Sequence, residues 1–322
     1  MLFKISSANL SLKRVLSMLK TCVFVIFSLF SSVVSAEFVL KVHNIDDNVY
    51  ALVGELTQRS ETNLGNNSTH GVIVTDEGVI LIDAGASYLG AKQIHKAIQT
   101  LTDKPIKFVI NSGGQDHRWL GNDYFKELGA TIVASKNARE DHKARADQQL
   151  VGLETLIGKS LKGTKPAFAT EVFDSQKKIT LGGVNLELYH VGSAHTLGDV
   201  FIWMPEKRIM FTGDIVYNNR MLGIGPAQNF QSWIEVFEKM ASYKPKHIIP
   251  GHGDPSSLEV ATKNTYEYLL FLKAKVADIL DNDGEMLDAL KIDQSQYHYL
   301  VNHESIAVKN AQWVFEQMEF DY

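Results

Sequence analysis

Cysteine is nearly missing from this chain. The one residue present, Cys22, lies in the first 36 positions. A chain that loses that segment has no thiol. Disulfides, a cysteine nucleophile and a thiolate-bound metal are then all excluded. No basic run is present either. Residues 1–36 hold four Lys or Arg and no Asp or Glu, which leaves 28 basic against 37 acidic residues, a balance of −9. An acidic chain without a basic cluster is a poor partner for nucleic acid or anionic lipid. No apolar run reaches the roughly 20 residues that span a bilayer. There is no Gly-x-Ser-x-Gly elbow around Ser193, although it lies two residues before His195. Gly182-Gly183 leads into a strand-like run, so it is not a phosphate-binding turn.

What is present starts with a targeting signal. Lys13, Arg14 and Lys20 precede the apolar run "CVFVIFSLFSSVV", which closes on Val34-Ser35-Ala36 before Glu37. That order reads as a secretory signal peptide over residues 1–36, cleaved after Ala36. Met18 is an alternative start, because a complete signal follows it. The competing reading is an uncleaved anchor. Cleavage implies a periplasmic or secreted protein with no stable membrane insertion.

The remaining residues, 37–322, read as one domain. At 45% hydrophobic, the 322-residue chain can bury a sizeable core. Short Val-, Leu- and Tyr-rich runs come first, "EFVLKVHNI" and "NVYALVGEL". "HGVIVTDEGVILIDAG" has the form of a hairpin turning at Asp76-Glu77-Gly78. Helical spacing follows in "YLGAKQIHKAIQTL", then strand "IKFVI", a short helix "NDYFKELG" and strand "ATIVAS". Residues 136–162 are polar and helical and suggest an exposed covering segment. A second strand-rich half then runs through "KKITLGG", "VNLELYHV", "DVFIWMP" and "RIMFTGD". It ends in helix "FQSWIEVFEKMASY", strand "KHIIPG" and a helical tail from about residue 256. Strands and helices thus occur twice in similar order. That order favours two sheets packed face to face with helices outside.

Three polar positions follow strand-like runs: His195 in "GSAHTLGD", Asp214 in "FTGD" and His252 in "PGHGD". Strand ends share a sheet edge, where loops distant in sequence converge. Imidazole and carboxylate donors suit zinc, and also iron or manganese. Three protein donors with a position left for water mark a catalytic zinc rather than a structural one.

Together with "GVILIDAG" and the loop "NSGGQDHRWLGN", these blocks resemble the metallo-β-lactamase superfamily in order and spacing, from about His70 to Asp254. The resemblance implies an α/β, four-layer αββα sandwich with a metal site at one edge of its two sheets. The family's usual loop is H-x-H-x-D-H inside a frame that Asn111, Gly121 and Asn122 keep here. Gly113 and Gln115 fall at the first two histidine places, His117 at the aspartate and Arg118 at the last histidine. No shift of register restores the pattern. Loss of those ligands points away from a binuclear site and toward one ion.

The resemblance implies a hydrolase of a small-molecule substrate that uses water activated by one Zn2+, with Fe or Mn as other occupants. His117, His195, Asp214 and His252 are the candidate ligands. Asp214 and His117 carry the catalytic role, and Gln115 and Arg118 are candidate substrate contacts. Arg118 has a second reading, in which its guanidinium fills a vacated metal pocket. Asp83 reads as a structural turn residue, and His70 and His190 as packed or surface histidines. The alternative function is a non-catalytic binding module on the same scaffold.

Overall fold

The computed structural model describes residues 38–225 and 229–320. The expected signal peptide lies outside the described residues. Two sheets organise the chain. The first has seven strands in the order β1 (Lys41–Asp46), β2 (Val49–Val53), β3 (Thr69–Val74), β4 (Val79–Ile82), β5 (Ile106–Ile110), β6 (Thr131–Ser135) and β7 (Glu171–Phe173). Strands β1 to β4 form an antiparallel meander, and β4 to β7 run parallel. The second sheet has five, in the order β12 (His247–Ile249), β11 (Ile209–Phe211), β10 (Phe201–Met204), β9 (Val184–Tyr189) and β8 (Gln176–Leu181).

Alternation of side chains explains the layering. In β4, Ile80 and Ile82 enter the core between the sheets, while Val79 and Leu81 face the helices outside. In β10, Ile202 and Met204 point inward, and Phe201 and Trp203 point out. Both faces of these strands are covered, so they read as continuous apolar runs rather than alternating ones. Helix Tyr88–Gln99, capped by the Ser87 side chain on the Gly90 amide, packs Ile94 and Ile98 on the first sheet. Helix Phe230–Ala241 brings Trp233, Val236 and Phe237 onto the second. The chain is therefore the expected four-layer αββα sandwich. The tail helices Glu267–Asp281 and His303–Glu319 extend that second outer layer through Tyr268, Leu272, Val314 and Phe315.

The helix expected as an exposed cover, Lys136–Ile157, is instead half-buried. Its inner face carries Asp141, His142, Ala146, Gln149, Leu153 and Ile157. Much of that face is polar, because it holds the loop after β5 rather than an apolar surface. His142 Nε2 lies 2.9 Å from the Gly113 carbonyl. Gln149 donates to the Gly114 carbonyl at 2.9 Å and accepts from the Trp119 indole at 2.9 Å. The loop itself contains a short helix, Asp116–Trp119, which fixes the directions of His117 and Arg118.

Candidate metal centre

Asp214 sits one turn past β11, in the single-turn helix Gly213–Ile215. It is 1% exposed. The guanidinium of Arg118 meets it side-on. Nε donates to Oδ2 at 3.1 Å and Nη2 to Oδ1 at 2.6 Å. The other donors of Arg118 are also taken. Nη1 reaches Asp83 Oδ2 at 2.8 Å and the Thr69 carbonyl at 3.4 Å, and Nη2 reaches the Gly251 carbonyl at 2.8 Å. Five N–H groups thus meet five protein acceptors. Arg118 is 0% exposed and has no donor left for a ligand, which corrects its expected role as a substrate contact. It braces the carboxylate from behind. Burial would raise the Asp214 carboxyl, but the Arg118 charge holds it well below the ordinary carboxylate range.

Asp83, at the end of β4 with φ 69°, completes this support. Its two oxygens accept from the Ser112 amide and hydroxyl, each at 2.7 Å. Burial raises its carboxyl. His70 lies beneath, with Nδ1 3.0 Å from the Asp83 carbonyl, and burial lowers its pKa to about 3. The structure places Asp83 behind Arg118 and His70 in the core.

His117 and His252 face Asp214 from the other side. His117 Nε2 is 3.1 Å from Oδ2, and His252 Nε2 is 3.2 Å from Oδ1. One donor atom from each of the three residues lies within 4.8 Å of the others. His252 follows β12, and its Nδ1 is 2.7 Å from the Asn67 carbonyl. Tyr217 stacks on the His252 ring at 4.6 Å and 22°. His117 Nδ1 lies between two groups, Asp116 Oδ1 at 3.0 Å and Arg59 Nη2 at 2.5 Å. Burial drives the His252 pKa well below 6.5, so the ring is neutral at pH 7.

His195 stands outside that trio. It occupies the loop between β9 and β10 and meets the rings of Tyr217 at 5.8 Å and Trp233 at 5.6 Å. Its buried Nδ1 has no hydrogen-bond partner among the described residues. Burial lowers its pKa to about 4. Gln115 is half-buried and caps the Asp116–Trp119 helix without a side-chain hydrogen bond.

Close neighbours crowd Gly113 and Gly114 in the same loop. A Cβ on Gly113 would collide with Oδ1 of Asp199, and one on Gly114 with Oδ2 of Asp141. Asp199 is 1% exposed. It accepts from the Thr196 amide at 2.6 Å and hydroxyl at 2.5 Å, and burial raises its pKa to about 8. A side chain at the first histidine place of the loop would have to displace the Asp199 carboxylate.

Arg59, Asn67 and Tyr217 escaped the sequence reading, and Asp116 entered it only through a one-residue shift of the loop motif. Arg59 and Asn67 lie in an irregular segment between β2 and β3, where no motif marks them. Arg220 was missed as well. It is 6% exposed, donates to the Thr57 carbonyl at 2.9 Å and has no carboxylate partner among the described residues. Burial lowers its pKa to about 10.

The profile of the metallo-beta-lactamase superfamily matches residues 65–252. A type 2 metallo-beta-lactamase of Elizabethkingia meningoseptica is 23% identical over 219 residues, 67% of this chain and 79% of that protein. The alpha subunit of 2,4-dinitroanisole O-demethylase from Nocardioides sp. (strain JS1661) is 24% identical over 179 residues, 55% of this chain and 50% of its own. Among solved structures, a metallo-beta-lactamase from Pontibacter korlensis superposes with a TM-score of 0.59 at 20% identity. That match covers 72% of this chain and 99% of the other. The helical tail lies beyond the matched family range.

Proposed function

The chain belongs to the metallo-β-lactamase superfamily, and on that premise we propose that it is a hydrolase working with one divalent cation held by His117, Asp214 and His252. One contact carries this reading. The Asn67 carbonyl accepts at 2.7 Å, so His252 keeps its proton on Nδ1. In a neutral ring, Nε2 then presents a lone pair to Asp214 Oδ1 at 3.2 Å, and two acceptors face each other in a buried space. A cation between them removes that conflict. Two imidazoles and a carboxylate suit zinc, with iron or manganese as other occupants.

Bound there, such an ion supplies Lewis acidity, lowering the pKa of water toward ~7 and polarising the group to be cleaved. The residues do the rest. Arg118 keeps Asp214 ionised and fixed, and Asp214 orients the attacking water. Asn67 and Asp116 set the directions of His252 and His117, as outer partners do at metal sites. His195, neutral at pH 7, is a fourth donor on the same edge, and Gln115 is the side chain that meets the substrate. The substrate is a small molecule. No helix among the described residues is long and apolar enough to cross a membrane. The proposal includes cleavage after Ala36 and a periplasmic or secreted location, to be checked by N-terminal sequencing of the mature protein.

The direct test is elemental analysis of protein purified without chelator. The expected content is about one equivalent of transition metal. Less than about 0.2 equivalents, with none taken up on titration, overturns the reading.

A second reading has its own support. Guanidinium groups already touch two of the three candidate ligands, Arg118 on Asp214 and Arg59 on His117. A scaffold that binds a small molecule without metal would be built this way. In that case His252→Ala changes neither metal content nor its link to thermal stability. In the hydrolase, both fall together.

A further inference from the structure

We propose that Arg59 is a positioning residue that places the proton on His117 and has to withdraw from that ring before a cation can load. This rests on the single-cation reading above. Arg59 Nη2 lies 2.5 Å from His117 Nδ1. A guanidinium has only donors, so Nδ1 must be the accepting nitrogen while that contact holds. With Nδ1 accepting, the ring proton is on Nε2, which donates to Asp214 Oδ2 at 3.1 Å. A nitrogen carrying a proton has no lone pair for a metal.

The other arrangement is built into the same site. Asp116 Oδ1 is 3.0 Å from His117 Nδ1 and accepts from the His117 amide at 2.7 Å. With the proton moved to Nδ1, the ring donates to Asp116 and turns a free Nε2 toward Asp214 and His252. The number of protons on the ring does not change. Its proton leaves Nε2 and one is taken up at Nδ1 through exchange with water. Arg59 Nη2 cannot remain at 2.5 Å from Nδ1 in this form, because two donors would face each other.

Three features let Arg59 leave. Its Nε is buried without a hydrogen-bond partner among the described residues, and the guanidinium is held through Nη2, by Asp116 and by the His117 ring. The neighbouring Thr57 and Gln58 are exposed, on a segment outside the sheets. Arg220, itself buried, bears on it with like charge. Asp116, held below the ordinary carboxylate range against burial by Arg59, loses that partner and gains the ring N–H in exchange.

The test uses metal-free full-length mature protein. The His117 tautomer is read by long-range 1H–15N correlation, and Zn2+ affinity by competition with a chromophoric chelator. Wild type is expected in the Nε2–H form. Arg59→Ala should shift His117 to Nδ1–H and bind Zn2+ about 10-fold more tightly, the size of a typical outer-partner effect. Arg59→Lys, which retains a charged donor, should move back toward wild type in both readouts. Asp116→Asn should act oppositely, keeping Nε2–H and weakening Zn2+ binding. Thermal melts report whether each variant is folded, and the Lys and Asn variants carry the test if the Ala variant is not. An unchanged tautomer in Arg59→Ala, or Nδ1–H already in wild type, overturns the proposal. If no variant takes up Zn2+, the single-cation reading fails together with the loading half, and the spectra still decide whether Arg59 places the proton.

Discussion

The two sides of the site edge are maintained by different physics. On the His117–Asp214–His252 side, charge decides. A buried carboxylate is braced by a fully satisfied guanidinium, and two imidazoles face it with their other nitrogens engaged. On the Gly113–His195 side, shape decides. Asp199 and Asp141 press against two glycines, and His195 is left with an orphaned nitrogen. A ligand set can therefore be lost on one side without disturbing the other. The charged side contains its own counter-charges, and the other side is closed by packing.

The largest predicted effect breaks the charged side. Asp214→Ala should cost about 3–5 kcal/mol in urea unfolding, because it strands a buried guanidinium. A loss under about 1 kcal/mol would mean that Asp83 and the carbonyls alone suffice for Arg118. Next comes the packed side. Gly113→Ala should cost about 1–3 kcal/mol through overpacking against Asp199. The double variant Gly113→Ala/Asp199→Ala should recover much of that, and non-recovery would remove Asp199 as the cause. Gly113→His, which restores the family residue, should likewise destabilise the fold and fail to raise metal stoichiometry above one.

Metal titration sharpens the contrast between the two histidines. His252→Ala should weaken Zn2+ binding beyond about 100-fold, more than loss of an outer partner does. His195→Ala should cost only about 10-fold. Equal losses would place His195 inside the trio's coordination. The smallest effect is a pH dependence. The Asp199 carboxyl holds its proton more tightly in the folded chain, with a pKa raised from 3.8 to about 8. Its contribution is full below 3.8 and is lost progressively as pH rises to about 8. Stability of wild type relative to Asp199→Asn should fall across that window and level off above it. A flat difference would show that Asp199 is ionised at neutral pH.

The sandwich was legible because its strands are buried on both faces and end in short motif loops. The positions of Asp214 and His252 at one sheet edge were legible for the same reason, since each closes a strand-like run. The polar inner face of Lys136–Ile157 was not legible. Periodicity detects apolar stripes, and this helix uses His142, Arg145 and Gln149 to hold carbonyl groups. Strand β7 is only three residues long and left no signal. Arg59 and Asn67 come from an irregular segment, and only the folded chain shows that they reach the rings of His117 and His252. The spacing of the loop motif also hid why Gly113 is glycine, because the obstructing Asp199 lies 86 positions away.

The most direct measurement of the central claim is anomalous scattering from crystals of the mature protein grown with zinc. The account predicts one peak, within about 2.0–2.2 Å of His117 Nε2, His252 Nε2 and an Asp214 oxygen. It also predicts that Arg59 has turned away from His117. No peak there at saturating zinc, with Arg59 still against the ring, would contradict it.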